Sequence, residues 1–156
     1  MKPERARRIG AWLAGAWFGE MAGIGFVAAP TLFAALLAGD AGRVAARLFG
    51  LDATIGLAAG ALLAIVGLQV GQSMAERQAP TERPAMSRFS AELALALAAL
   101  ACIVVGFYAL QPLLEAARTG QGTLSFGTLH LLSTGLFGLR LGIVGVLAWR
   151  LGRRID

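Results

Sequence analysis

The chain has 156 residues, of which 57% are hydrophobic and only 15% are charged. This composition excludes an ordinary soluble globule, because so few polar residues cannot cover the surface of one. The formal net charge of +5 comes from basic residues scattered along the chain, with no patch interleaved with aromatic residues. We therefore expect no nucleic-acid partner.

Four long apolar segments follow one another along the chain, at about 9–37, 53–75, 93–114 and 124–149. Each is at or above the roughly 20 residues that a helix needs to cross the hydrocarbon core of a bilayer. The segments between them are too short to bury a core of their own. The sequence therefore predicts an all-α integral membrane four-helix bundle in the lipid bilayer, with residues 1–156 forming a single transmembrane domain.

The first half of the chain carries features that refine this architecture. Basic residues precede span one as they would in a signal peptide, but the apolar run is too long for one, so we expect this span to be retained. Pro30 should kink span one, because proline removes a helix hydrogen bond. Between spans one and two, Arg43 and Arg47 lie one turn apart, which predicts a short interfacial helix over 40–49 with Asp40 as its N-cap. The connection 76–88 contains two prolines and is predicted to be a mobile linker.

The distribution of basic residues predicts the orientation of the chain, because cytoplasmic loops retain lysine and arginine. Ten of the 14 basic residues lie in the two terminal segments and in the 76–88 connection, which share one side of the membrane. Three lie on the other side of the membrane, and Arg140 lies within a span. We therefore expect both termini in the cytoplasm, with the basic residues attracted to anionic lipid head groups.

Glycine is frequent in this chain, with 21 residues, and several recur at every fourth position within a span. Small residues at that spacing line one face of a helix and let membrane helices approach closely. We therefore expect them to form helix contacts within the bundle or at a dimer face. The set consists of Gly15, Gly19 and Gly23 in span one, Gly56 and Gly60 in span two, and Gly138 and Gly142 in span four.

Two charged residues lie alone inside apolar spans, Glu20 in span one and Arg140 in span four. A charge near the bilayer centre costs roughly 2.5–3.5 kcal/mol even on lenient insertion scales, so each needs a partner or a water-filled cavity. Both lie roughly 15–18 Å from the predicted cytoplasmic border, at 1.5 Å per helical residue. We expect an intramembrane charged pair that either fixes helix packing or takes part in transport. Asp52 and His130, with Ser133 nearby, form a second and weaker polar site.

Three segments carry a further pattern: FVAAPTLF at 26–33, AGRVAARLF at 41–49 and SFGTLHLLS at 125–133. Together and in this order they resemble a family of small four-span bacterial membrane proteins, a domain of unknown function related to eukaryotic transmembrane protein 205. The resemblance implies a four-helix fold, no established chemistry and, with the charge distribution, a bacterial cytoplasmic (inner) membrane. The chain departs from the family pattern at Leu131 and Phe137, where many relatives have Gly and Asn.

Other reactive side chains lack the partners that a catalytic or cofactor site needs. His130 is the only histidine and Cys102 the only cysteine, so a haem or soft metal would find a single histidine ligand and no disulfide can form within the chain. The sequence contains no catalytic triad order and no nucleotide-binding loop. We therefore expect no cofactor, no metal and no enzymatic activity, with haem or metal binding as a remote alternative.

Two functional classes remain. We expect first a structural or accessory subunit whose glycine faces pair with a second copy, as a homodimer, or with another membrane protein. The alternative is a small-solute or ion transporter, or an efflux component, that uses Glu20, Arg140 and His130. Four spans would then need a dimer to enclose a path.

Overall fold

The computed structural model describes residues 3–78 and 90–153, which are helical almost throughout. Span one consists of α1 (Pro3–Ala22), a π-helical segment (Gly23–Ala28) and α2 (Ala29–Ala35), and span two is α3 (Ala38–Gln78). Span three consists of α4 (Ala91–Ile103), a second π-helical segment (Val104–Ala109) and α5 (Leu110–Arg118), and span four is α6 (Phe126–Gly152). Most of the predicted 76–88 linker lies outside the described residues.

All four spans have the length and composition needed to cross a membrane. The qualifying stretches are Glu4–Ala35, Ala38–Ser73, Ala91–Arg118 and Phe126–Gly152. Large apolar side chains lie exposed along them, including Leu62, Leu97 and Leu139. Exposed apolar surface of this extent is typical of a protein that faces lipid. The chain is an all-α, multi-pass membrane protein, which confirms the fold class that its composition predicted.

The four spans form a ring in which each span packs on two neighbours. α1 contacts α3 and α6, and α4 contacts the same two helices. α3 and α6 therefore face each other across the centre of the bundle, as do α1 and α4. We call the end where α1 begins and α6 ends the terminal end. The opposite end, where span one meets α3 and span three meets α6, is called the far end.

Glycines of α3 allow α4 to approach closely. A Cβ at Gly60 would lie 2.6 Å from Cδ2 of Leu100, and a Cβ at Gly67 would lie 2.6 Å from the backbone nitrogen of Leu93. Such distances are shorter than any ordinary contact, so the two helices reach this separation only because these positions carry no side chain. Gly56 and Gly60, two of the glycines expected in helix contacts, both lie on this buried face.

The glycines of spans one and four that were expected in helix contacts face away from the bundle. A Cβ built at any of these positions would meet nothing within 4 Å; they are Gly15, Gly19, Gly23, Gly138 and Gly142. The reason is helix periodicity at 100° per residue. In α1 these glycines lie about 180° around the helix from the buried Trp17 and Met21, and in α6 they lie opposite the buried Arg140 and Val144. They take no part in packing within the chain.

Other glycines allow close contact between spans one and four. A Cβ at Gly145 would lie 3.1 Å from Cε2 of Phe18, so the phenylalanine of α1 packs directly on the backbone of α6. At Gly25, in the first π-helical segment, a Cβ would lie 2.8 Å from Cε1 of Phe137. Both contacts pair an aromatic ring with a glycine on the neighbouring span. This arrangement lacks the four-residue repeat on which the sequence prediction depended.

Residues 40–49 are helical, as predicted, but they form the start of α3 rather than a separate interfacial helix. α3 begins at Ala38, so Asp40 lies in its first turn and forms an exposed ion pair with Arg43 instead of serving as N-cap. No proline interrupts the chain between this region and span two. The 41 residues of α3 extend over roughly 62 Å, about twice the thickness of a hydrocarbon core. As a result, Asp52 lies well inside the helix instead of near its outer end.

Pro30 lies in the first turn of α2, directly after the first π-helical segment. Proline has no backbone N–H, so it cannot continue the hydrogen-bond ladder of the preceding helix. The change from π-helical to α-helical geometry therefore takes place where the sequence predicted an interruption of span one.

Candidate functional site

Arg140 lies at the centre of the bundle and forms an ion pair with Asp52. Its Nη2 donates a hydrogen bond to Oδ2 of Asp52, and the two side chains are only 4% and 3% exposed. Arg140 follows the start of α6 by fourteen residues, and Asp52 follows the start of α3 by fourteen, so both lie roughly 21 Å from the far end. The pair thus joins two helices that face each other across the bundle.

Glu20 lies beside this ion pair rather than forming it. Trp17 of α1 packs on Gly56 of α3, which runs in the opposite direction; Glu20 follows Trp17 by one turn and Asp52 precedes Gly56 by one turn, so the two acids lie at the same level. Both carboxyl oxygens are buried, and neither accepts a hydrogen bond from any described residue. The direct pair expected between Glu20 and Arg140 does not form. The reason is that α3 begins early enough to bring Asp52 to the level of Arg140.

Further buried polar atoms in the same place have no hydrogen-bond partner within the described part of the chain. They are Oδ1 of Asp52, Nε of Arg140 and Nε1 of Trp17. The Trp17 ring packs against Gly56, one turn after Asp52, where a Cβ would lie 3.1 Å from Cζ2. We call Trp17, Glu20, Asp52 and Arg140 the central cluster. Buried polar groups are normally paired, so the central cluster has unused capacity for hydrogen bonding.

Aromatic rings and α4 complete the surroundings of the guanidinium. Arg140 Cζ lies 5.2 Å from the ring centroid of Phe137, a cation–π contact. Phe137 in turn meets Phe49 of α3 edge to face, with centroids 5.4 Å apart. Cys102 of α4 is also within electrostatic range of Arg140. All four spans therefore contribute to the environment of this one cation.

Both π-helical segments begin close to these residues. Glu20 precedes the first segment, Gly23–Ala28, by three residues, and Cys102 precedes the second, Val104–Ala109, by two. π-helical turns are rare within α-helices and are frequent at functional sites. They occur in spans one and three, the two spans that do not supply the ion pair.

His130 lies apart from the central cluster. Its side chain is exposed and stacks on Phe126, with ring centroids 5.7 Å apart, and its carbonyl accepts a hydrogen bond from Ser133. It precedes Arg140 by ten residues of helix, a separation of roughly 15 Å. The expected pair of Asp52 and His130 does not form, because Asp52 lies deeper and is bound to Arg140. His130 and Ser133 are thus placed outside the site.

A second buried acid was not predicted from the sequence. Glu92, in the first turn of α4, lies 3.5 Å from Nη2 of Arg150, and the two side chains are 3% and 35% exposed. This pair links α4 and α6 at the terminal end. Both residues stand at the borders of apolar spans, where charged residues are ordinary, so the sequence carried no signal for their pairing.

The side chains of the central cluster define what it can do chemically. It offers two carboxyl groups that can accept or hold a proton, one permanently charged guanidinium and one indole N–H donor. Among the residues that the structure describes, no group of three or more His, Cys, Asp or Glu side chains could hold a metal ion.

A family model described as a domain of unknown function, DUF4149, matches residues 12–122, well over half of the chain. The chain belongs to this family. Within the DUF4149 match lie Glu20 and Asp52, the two acids of the central cluster, whereas Arg140 lies beyond its end. The 26–33 and 41–49 segments are inside the match, and 125–133 is outside. No curated protein and no solved structure matches the chain.

Proposed function

We propose that this protein is a component of small-solute or ion transport and that its central cluster borders the route. The observation that carries the proposal is the Glu20 carboxyl group, buried beside an ion pair that is already complete. An ion pair that only fixes helix packing needs one acid and one base, and Asp52 and Arg140 supply them. An additional ionisable group inside a membrane bundle is costly and marks ion or substrate pathways.

We therefore rank a transport role ahead of a structural one. The sequence favoured a structural or accessory subunit, because a charged pair that sets helix register would explain Glu20 and Arg140. The Asp52–Arg140 pair can set helix register alone, so Glu20 is not needed for that structural role. The two π-helical segments add support, since transport needs a second arrangement of helices and irregular turns are places where a helix can rearrange.

A second proposed role, as an interaction subunit, is favoured by the outward-facing glycines. Spans one and four each carry a row of them: Gly15, Gly19 and Gly23 on span one, and Gly138 and Gly142 on α6. Small residues are the positions where another membrane helix can approach closely. We propose a second copy of this chain as the partner, because four spans need a dimer to enclose a path. The two roles are compatible in a dimeric carrier.

The proposed location is the bacterial cytoplasmic membrane, with both termini in the cytoplasm. We also propose that the protein is distantly related to transmembrane protein 205. The support is the excess of basic residues in the terminal segments and the motifs at 26–33 and 41–49. Fusions of alkaline phosphatase provide the test. A fusion at the C-terminus should be inactive, and an active one would contradict the orientation.

Transport can be tested with the purified protein in liposomes that contain a pH-sensitive dye. We expect wild-type protein to dissipate an imposed proton gradient, either alone or when a small cation or solute is supplied. The Glu20→Gln variant should lose this flux. Glu92→Gln is the matched control, since Glu92 is also a membrane-span acid with little exposure but lies at the terminal end. Flux that is equal in Glu20→Gln and wild type, or no flux from correctly folded wild type, would contradict the proposal.

The dimer can be tested separately by native mass spectrometry from mild detergent. We expect a dimer for wild-type protein and a larger monomer fraction for Gly19→Leu, because a Cβ at this outward position meets nothing within 4 Å in the chain. Monomer alone from wild-type protein would contradict the interaction role and the dimeric carrier.

A further inference from the structure

The central cluster contains more acid than base. Glu20 from α1 is faced by Asp52 from α3 and by Arg140 from α6, and the neutral thiol of Cys102 lies near Arg140 from α4. If both carboxyl groups were ionised, the cluster would carry one unbalanced negative charge. In an apolar interior an unbalanced charge is strongly disfavoured, and such a group is neutralised instead. Charge balance therefore calls for one additional positive charge at this place.

The geometry indicates where that charge belongs. Asp52 uses Oδ2 to bind Arg140, and its Oδ1 is buried without a hydrogen-bond partner. The Glu20 carboxyl group lies at the level of Asp52, and both of its oxygens are buried without a hydrogen-bond partner among the described residues. Two ionised carboxylates are both acceptors and cannot hydrogen bond to each other. A proton on Glu20 would turn one acceptor into a donor directed at Asp52. The same proton would remove the unbalanced charge.

We propose that Glu20 and Asp52 share one proton, which Glu20 carries while Asp52 stays paired with Arg140, so that the central cluster is a proton-binding site. A hard metal cation is a poorer occupant, because such ions take six or more oxygen ligands and this site offers two carboxyl groups, one already bound to Arg140. The inference rests on the proposed function in naming the proton as the transported species. Proton binding itself needs no transport.

Arg140 can stabilise the site after the proton leaves. Its Nε is buried without a partner, so the guanidinium has a donor to spare while Nη2 remains on Asp52. An ionised Glu20 would become a second acceptor for this cation. The proton and the Arg140 donor are thus alternative partners of the same carboxyl group, and the donor offsets part of the cost of the extra negative charge that remains when Glu20 loses its proton.

Infrared spectroscopy of the purified protein tests the proposal, because a protonated carboxyl group has a carbonyl band that an ionised one lacks. Near neutral pH we expect this band in the wild type, with a shift in heavy water, and its loss in Glu20→Gln. Glu92→Gln should retain the band, since Glu92 is paired with Arg150 and lies apart from the central cluster. A band unchanged in folded Glu20→Gln, or one displaced by sodium chloride, would overturn the proposal.

A titration of the wild type makes the test independent of any variant. Raised pH should remove the band with the loss of one proton per chain, and absence of the band near neutral pH would overturn the proposal. Comparison with liposomes separates the two claims. A protein that shows the band without moving protons keeps the binding site and contradicts the carrier, whereas a missing band with Glu20-dependent sodium flux keeps the carrier and contradicts the proton site.

Discussion

Glu20 and Asp52 should be able to substitute for each other as partners of Arg140, and this leads to a specific pattern of stability. Glu20→Gln replaces a neutral acid by a neutral amide of the same shape. It should therefore destabilise the bundle by about 1 kcal/mol or less, the contribution of one ordinary hydrogen bond. Asp52→Asn removes the present partner of Arg140, but an ionised Glu20 then becomes the replacement acid.

The double variant Glu20→Gln with Asp52→Asn should be much worse than either single change. It leaves Arg140 with no acid in the central cluster, and the Arg140 side chain is only 4% exposed, so solvent cannot compensate. Removing one partner of a buried ion pair destabilises a protein by roughly 3–5 kcal/mol. The excess over the sum of the two single variants should be roughly 0.5–3 kcal/mol, as for residues in one network.

Unfolding in mixed micelles of dodecyl sulfate, followed by tryptophan fluorescence, measures these free energies. Glu92→Gln is the control, because its partner Arg150 is 35% exposed and the pair should contribute only about 0–1 kcal/mol. A Glu20→Gln variant as unstable as the double variant would refute this pattern. A double variant with the same free energy of unfolding as Asp52→Asn would also refute it, since Glu20 would then not be the replacement partner.

Three further predictions concern packing, capping and the far end. Gly67→Ala should destabilise the bundle by about 1–3 kcal/mol, because a Cβ there would overlap the backbone of α4. In the same unfolding assay, the control Gly19→Ala should be neutral or stabilising. Ser90→Ala should cost about 1 kcal/mol by thermal unfolding, because Ser90 caps α4 and also donates to a carbonyl of α3; Ser125→Ala, at the exposed cap of α6, should cost less. His130→Ala should leave both stability and liposome flux unchanged, because the side chain is exposed, and a loss of flux would place it in the site after all.

The sequence by itself determined the class of the protein and the positions of its spans. Transfer of apolar residues into a bilayer is favourable residue by residue along the chain, so a run of sufficient length identifies a span whatever its neighbours are. The same local rule singled out Glu20 and Arg140, because a charge inside such a run is costly in any arrangement of helices. The family-like segments at 26–33 and 41–49 were likewise readable without a structure.

Only the tertiary structure decided that Asp52 is the partner of Arg140. That choice depended on two facts that no local pattern contains: α3 begins at Ala38, which brings Asp52 to the level of Arg140, and α3 faces α6 across the ring. The direction of the glycines was also undecided in the sequence. A membrane helix can turn either face toward lipid, because lipid and protein interior are both apolar, so periodicity alone cannot tell which face packs within the chain. The long-range contacts of Trp17, Glu20 and Arg140 set that rotation.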